Sequence, residues 1–185
     1  VPLLQQSLVV RERVYGPSHP LVASTLNELG NAAIRGNDLD EAETAFTRMV
    51  AIYRAAYDDR HYLIGTALSN LATVYNERKQ YGRAGALYRE AVQRFADTQG
   101  PSHINTGIAH IKLGRSLLRQ GRFEEASRET LAGYDIVAPQ AEPGISYLRA
   151  ARRALSTYYD SLGTPAKGAR CKAELAALDS AAARR

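Results

Sequence analysis

The chain has 185 residues, 45% of them hydrophobic and 23% charged, and 24 Lys and Arg against 19 Asp and Glu give a net charge of +5. This is the balance of a folded, water-exposed protein. No apolar run approaches the roughly 20 residues that a membrane helix needs, and the first residues lack the layout of a secretory signal, so a cytoplasmic setting with no membrane partner is expected. Cys171 is the single cysteine. It permits no internal disulfide, suits a reducing compartment and, near Leu175 and Leu178, reads as a small packing residue.

The same pattern returns every 42 residues. Leu29, Leu71, Leu113 and Leu155 stand one step apart, as do Ala42, Ala84 and Ala126, and also His19, His61 and His103. Tyr15, Tyr57 and Gln99 each open a short loop at the same step. A period of about 20–50 residues marks a solenoid, whose units bury their apolar faces against neighbouring units. The step divides the chain into an opening segment 1–15, three full repeats at 16–57, 58–99 and 100–140, and a divergent repeat at 141–185. No linker interrupts the series, so a single array is expected.

In the opening segment Leu4, Leu8 and Arg11 stand one step before Phe46, Val50 and Tyr53. It matches the second helix of a repeat whose first helix is absent, as in a piece cut from a longer array. Its uncovered apolar end offers a surface for self-association. In the first full repeat Leu26, Leu29, Ala33 and Ile34 fall on one helical face, and Gly36-Asn37-Asp38 breaks the helix. Leu39, Ala42, Ala45, Phe46, Met49, Val50 and Tyr53 then stripe a second helix. The next repeat has Leu68, Leu71, Val74 and Tyr75, followed by Tyr81, Ala84, Leu87, Tyr88, Ala91, Val92 and Phe95. The third has Ile111, Leu113, Leu117 and Leu118, then Phe123, Ala126, Leu131, Tyr134 and Val137. The fourth has Leu155, Tyr158, Tyr159 and Leu162, then Ala169, Leu175 and Leu178, and residues 176–185 read as a polar capping helix.

Pro17, Pro20, Pro101, Pro139 and Pro143 fall between pairs, and Pro165 suits a helix's first turn. Ser18 and Ser102 are predicted N-caps. Small residues at Ala42, Ala84, Ala126 and Gly168 let paired helices approach. From residue 141 onward eight basic residues face four acids, whereas residues 38–43 are acidic. Such polarity suits an acidic protein segment. Nucleic acid is a poorer fit, because the excess is small and the basic end offers little aromatic interleaving beyond Tyr158 and Tyr159.

No phosphate-binding glycine loop, His-Glu-x-x-His or nucleophile elbow occurs, so neither enzymatic activity nor a cofactor is expected. His19, His61 and His103 lie a whole repeat apart and cannot share a metal, and His110 reads as isolated. Asp58-Asp59 and Glu124-Glu125 read as solvated charges at turns and helix starts. The tyrosines read as packing residues, with Tyr158 and Tyr159 placing one ring inside and one outside.

Leu26, Leu29, Gly30, Ala33, Ala42 and Phe46 recur as Leu68, Leu71, Ala72, Tyr75, Ala84 and Tyr88. This pattern resembles the tetratricopeptide repeat, a helix-turn-helix unit usually about 34 residues long. The longer step, with Tyr-Gly-Pro-Ser-His-Pro at Tyr15 to Pro20 and Leu-Asn-Glu-Leu-Gly at Leu26 to Gly30, is similar to the kinesin-light-chain-like subclass. The Arg-, Ala- and Gly-rich composition goes with a bacterial member. The resemblance spans essentially the whole chain and implies an all-α, right-handed superhelical solenoid of antiparallel helix pairs.

It further implies that the first helices line a concave groove for a partner's extended or helical peptide. Groove positions then fall at Asn27, Asn31 and Arg35, at Ser69, Asn70, Thr73 and Glu77, at Lys112, Arg115 and Arg119, and at Arg153 and Thr157. Some members clamp a C-terminal carboxylate with two asparagines and several basic residues. Asn31, Asn70 and Lys112 match that set, whereas Asn27 and Ile108 stand where two lysines are expected. A carboxylate clamp, a general peptide groove and a solvated helix face all stay open, the general groove fitting best. The function expected is a non-catalytic scaffold, within a larger protein, for a protein or peptide partner of acidic character. The alternative is a peptide-sensing module attached to a kinase-like signalling domain or a transcription-regulatory domain.

Overall fold

The computed structural model describes residues 2–140 and 146–182. Among them every regular element is an α-helix: α1 (Pro2–Tyr15), α2 (Pro20–Arg35), α3 (Leu39–Ala56), α4 (Tyr62–Glu77), α5 (Tyr81–Gln99), α6 (Ile104–Arg119), α7 (Phe123–Val137), α8 (Ser146–Ser161) and α9 (Pro165–Ala182). Pro143, Arg184 and Arg185 lie outside the described residues, as do the side chains of Pro165 and Leu178. No described helix is long and apolar enough to cross a membrane. The helices group into two compact units, Val1–Gln99 and Gly100–Arg185. In the first, α2 pairs with α3 and α4 with α5, while α1 packs on α2 and α3 on α4. In the second, α6 pairs with α7 and α8 with α9, and α8 also touches α6 and α7.

The backbone carries the 42-residue step as plainly as the side chains do. Each turn inside a pair has one left-handed residue: Asn37 (φ 60°), Lys79 (φ 60°), Gly121 (φ 74°) and Gly163 (φ 65°). The amide just after each one closes the preceding helix, as Asp38 N does on Ala33 O (2.9 Å) and Thr164 N on Tyr159 O (2.9 Å), a Schellman-type end that satisfies orphan carbonyls. Turns between pairs repeat a second left-handed residue at Gly16, Asp58 and Gly100. The divergent fourth repeat therefore keeps the turn geometry although its sequence has drifted.

The starts of α2, α4 and α6 are capped by histidine, not by the serines that sequence preference favoured. Nδ1 of His19, His61 and His103 accepts the amide hydrogens of Leu21 (3.2 Å), Leu63 (3.2 Å) and Asn105 (3.1 Å). Ser18 and Ser102 sit one residue too early, in the turn. Tyr15 stacks on His19 (4.9 Å) and Tyr57 on His61 (4.1 Å), which gives the repeated Tyr and His a shared structural role.

Close approach within pairs needs small residues. Ala42, Ala84 and Ala126 are buried, and a Cβ on Gly30 would lie 2.5 Å from the Phe46 ring. A Cβ on Gly114 would strike Thr130 Oγ1 and come within 2.8 Å of Ala126 O. Phe46, Met49, Ile64 and Leu68 fill the first core, and Ile111, Leu113, Leu117 and Leu148 the second, each contributing about 1.5–3 kcal/mol.

Four apolar residues predicted in buried stripes are instead exposed: Phe123, Leu131, Leu162 and Ala169. Leu131 occupies the register of Thr47 and Arg89, which are exposed in the other pairs. Tyr158 and Tyr159 are both half-buried, edge to face at 5.0 Å, rather than one in and one out. Helix α9 has only a weak apolar stripe, and a polar cluster ties it down. Glu174 accepts from Arg152 Nε (2.7 Å), Tyr134 Oη (2.8 Å) and Arg170 Nε (2.9 Å).

Candidate peptide-binding surfaces

In the first unit, α2 and α4 bring three asparagines together. Asn27 Oδ1 accepts from Asn70 Nδ2 at 2.8 Å and from Asn31 Nδ2 at 3.3 Å, and Asn27 Nδ2 donates to Glu28. The helical spacing of four sets Asn31 over Asn27, and the repeat step plus one residue sets Asn70 beside them. All three are half-buried. The Oδ1 atoms of Asn31 and Asn70 have no donor among the described residues, so both remain able to accept a peptide N–H. Thr73 is less available: its hydroxyl donates to Ser69 O (2.9 Å) and lies 3.1 Å from Tyr88 Oη. Arg35 and Glu77 stand exposed at the ends of α2 and α4.

In the second unit the character changes from amide to cation. Helix α6 carries Lys112, Arg115 and Arg119 and no acid, and α8 carries Arg149, Arg152 and Arg153 against Asp160. These two helices thus hold a net charge equal to the +5 of the whole chain, whereas α2 and α4 together hold one base, Arg35, and two acids, Glu28 and Glu77. Arg115, Arg119 and Arg153 are exposed. Lys112 is half-buried with Nζ 5.9 Å from the Tyr147 ring centroid. Burial, and then the charge of Arg115, pull its ammonium down to about 8. Thr157 donates to Arg153 O (3.0 Å). Ile108, at a clamp-lysine position, packs on Ile111, Val137, Leu148 and Ala151, an apolar contact that a lysine would disturb.

Several features escaped the sequence. Arg152, counted there in a basic surface, is buried against Glu174, and Lys172 pairs with Asp160 at 2.7 Å, so much of the basic end is neutralised internally. His110 is not isolated: Nδ1 lies 2.7 Å from Glu129 Oε2 across α6 and α7. Asp59 is an exposed turn charge that also binds Arg94 (2.8 Å) and Arg54 (3.5 Å), and Glu125, in the first turn of α7, pairs with Arg122 (2.6 Å). The partners His110 and Glu129, Arg152 and Glu174, and Asp59 and Arg94 are 19, 22 and 35 residues apart, separations with no period that would reveal them. Cys171 is half-buried, and burial first, then Glu174, push its thiol up, which leaves it protonated and unreactive. No group of three or more His, Cys, Asp or Glu among the described residues could hold a metal.

The sequence model of the tetratricopeptide repeat matches residues 1–55 and 63–129. The chain belongs to the tetratricopeptide repeat family. Tetratricopeptide repeats generally mediate protein–protein interaction, and the fold typically serves as a non-catalytic scaffold. Among solved structures, a Podosopora anserina kinesin light chain with nearly identical TPR-like repeats is 20% identical, covering 100% of this chain and 87% of that one with a TM-score of 0.78. BtubC (BKLC) from P. vanneervenii is 19% identical, covering 97% and 72% with a TM-score of 0.84. At such identities the likeness speaks for the fold, an all-α solenoid of kinesin-light-chain type. The secreted RxLR effector protein RXLR-C07 of Plasmopara halstedii is 29% identical over 114 residues, 62% of this chain. The chain spans 30% and 35% of the lengths of the curated relatives it matches.

Proposed function

We propose that this tetratricopeptide array is a non-catalytic scaffold whose first helices line a concave groove and bind a partner protein's extended or helical segment. The asparagine cluster carries this reading. Asn27 organises the amides of Asn31 and Asn70, which then present acceptors and donors at fixed positions, suited to a peptide backbone of any sequence. In the second unit Arg115, Arg119 and Arg153, beside Lys112, add charge-assisted bonds to acidic side chains or a carboxylate. The surroundings of Ile108 speak against a full carboxylate clamp and for a general groove that favours acidic segments. Arg35 and Glu77 would flank the bound segment. Thr73, engaged with Tyr88, would position α4 against α5 more than contact ligand. A single half-buried thiol is compatible with a cytoplasmic setting.

The test compares partner capture from lysate, quantified by mass spectrometry, for the chain and two variants, Asn27→Ala/Asn70→Ala and Arg115→Glu/Arg119→Glu. A charge-assisted contact buried in the complex is worth roughly 1.5–3 kcal/mol and a neutral amide contact about 0.5–1.5 kcal/mol, so the arginine variant should lose about tenfold or more in affinity for the captured partner and the asparagine variant at least about threefold. Capture unchanged in both variants would move binding away from the first helices and end this reading.

A further inference from the structure

An amide side chain has a donor end and an acceptor end, so a row of bonded amides takes its direction from whichever member is fixed. On α2 the fixed point is Glu28, whose carboxylate accepts from Asn27 Nδ2 at 3.3 Å. Turning the Asn27 amide over would set its oxygen against a carboxylate oxygen. Asn27 Oδ1 therefore faces the other way and accepts from Asn70 Nδ2 (2.8 Å) and Asn31 Nδ2 (3.3 Å). Both of those amides must give their nitrogen to Asn27, which leaves their oxygens over. Neither Oδ1 receives a hydrogen bond among the described residues, and neither is closed off from solvent. The first unit thus offers a ligand two carbonyl oxygens, on amide groups that converge on one atom.

Charge around this pair favours a cation. As charged residues, α2 and α4 carry only Glu28, Arg35 and Glu77. Arg35 and Glu77 stand one repeat step apart, at the same register, so their charges offset each other and Glu28 is the excess. In α6 the registers of Asn31 and Asn70 are held by Arg115 and Lys112, cations in place of acceptors. We propose that the asparagine pair is a subsite for a lysine side chain of the partner segment, an inference that rests on reading α2 and α4 as a binding surface. A lysine ammonium brings three donors and no acceptor. Two engage Oδ1 of Asn31 and of Asn70, and its charge is drawn towards Glu28. Arginine fits less well, because its planar fork matches the paired oxygens of one carboxylate and these oxygens belong to separate side chains on two helices. A carboxylate on the partner meets the wrong ends of both amides and the repulsion of Glu28. Glu28 acts as a positioning residue, deciding which end of each amide is left for the ligand.

NMR titration of the isotope-labelled chain with acetyl-Ala-Lys-Ala-amide and with acetyl-Ala-Glu-Ala-amide reads the subsite through the side-chain amide signals of Asn31 and Asn70. The lysine peptide should shift both signals, with Kd on the order of 10 mM. It should bind at least about fivefold more tightly than the glutamate peptide. Asn31→Ala/Asn70→Ala should abolish that preference. Glu28→Gln, at an exposed position, leaves the fold intact but lets the amides reverse, so the preference should shrink at least about threefold. That change should survive roughly 0.5 M salt, which screens charge but not amide orientation. Equal binding of the two peptides, a preference for glutamate, or no shift from either would each overturn the proposal. So would a lysine preference that the double alanine variant keeps or that Glu28→Gln leaves unchanged. The wider groove reading fails separately. A captured partner that needs Asn27 and Asn70, with no lysine preference in the titration, keeps the groove and removes the lysine subsite. A lysine preference that depends on Asn31 and Asn70, with partner capture indifferent to every groove variant, keeps the subsite and removes the groove.

Discussion

Replacing Glu174 with glutamine tests what holds the last helix in place. Helix α9 has little apolar stripe to bury, so its docking rests on one carboxylate. Glu174 gathers bonds from Arg152, Tyr134 and Arg170, and the Arg152 hydrogen bond above all holds its carboxyl at about 2 instead of 4.5. A shift of that size corresponds to at most roughly 3 kcal/mol. The Glu174 side chain is 28% exposed, so solvent screening reduces the effective share to about half of that. The substitution also removes the carboxylate charge that faces Arg152, whose side chain is 6% exposed. Breaking such a pair from one side costs about 3–5 kcal/mol when fully buried. With Glu174 at the surface, about 2–3 kcal/mol is expected for Glu174→Gln.

The pH dependence has a definite sign. The folded-state carboxyl lies below its unfolded value, so its stabilisation is complete above about pH 5 and fades as pH falls from 4.5 towards 2. Denaturant unfolding of chain and variant should therefore differ by a constant amount near pH 7 and converge towards pH 2.5. Hydrogen exchange should place the loss in α9 and the facing turns of α8. Replacing both partners, Arg152→Met with Glu174→Leu, should restore most of the stability, because apolar side chains carry no desolvation penalty. A Glu174→Gln cost below 0.5 kcal/mol, or a cost that does not shrink in acid, would refute the argument.

Four further substitutions probe the repeat geometry. Lys79 sits at φ 60° where the other turns place Asn or Gly, so Lys79→Gly should stabilise the first unit by about 0.5–1 kcal/mol in denaturant titrations. His61→Ala removes the α4 cap and the Tyr57 stack and should cost about 1 kcal/mol, visible as faster exchange at the Leu63 amide. Gly114→Ala drives a methyl into Thr130 and the α7 backbone and should cost more than 2 kcal/mol. Gly82→Ala, whose Cβ meets nothing within 4 Å, should gain up to about 1 kcal/mol. The order of melting temperatures for the two glycine-to-alanine variants checks the contrast.

Paired helices and their step were legible because periodic burial must be written periodically. Leu29, Leu71, Leu113 and Leu155 recur since each unit solves the same packing problem. Asparagines 27, 31 and 70 could be placed on one surface for the same reason. What stayed hidden depends on particular partners. The left-handed backbone at Asp58 and Lys79 is invisible when the residue is not glycine. Serine is the commoner cap, yet His19 and His103 stand at the position from which a side chain reaches the second amide of the helix. Thr73 was placed by phase on the binding face, but phase says nothing of Tyr88 Oη, 15 residues away on α5.

The charge distribution shows how such misplacement changes a functional argument. Counted along the chain, the positive excess belongs to residues 141–185 and suggests a sticky C-terminal end. Folded, Arg152 and Arg170 close on Glu174, and Lys172 on Asp160, so much of that end is internally balanced. The unpaired guanidinium groups that remain include Arg115, Arg119 and Arg153, on the first helices of the two pairs in the second unit. A Coulomb interaction with an acidic segment is worth most where several cations share one low-dielectric surface. On the proposed reading, position on the first helices, rather than the net +5, is what would suit this array to an acidic peptide.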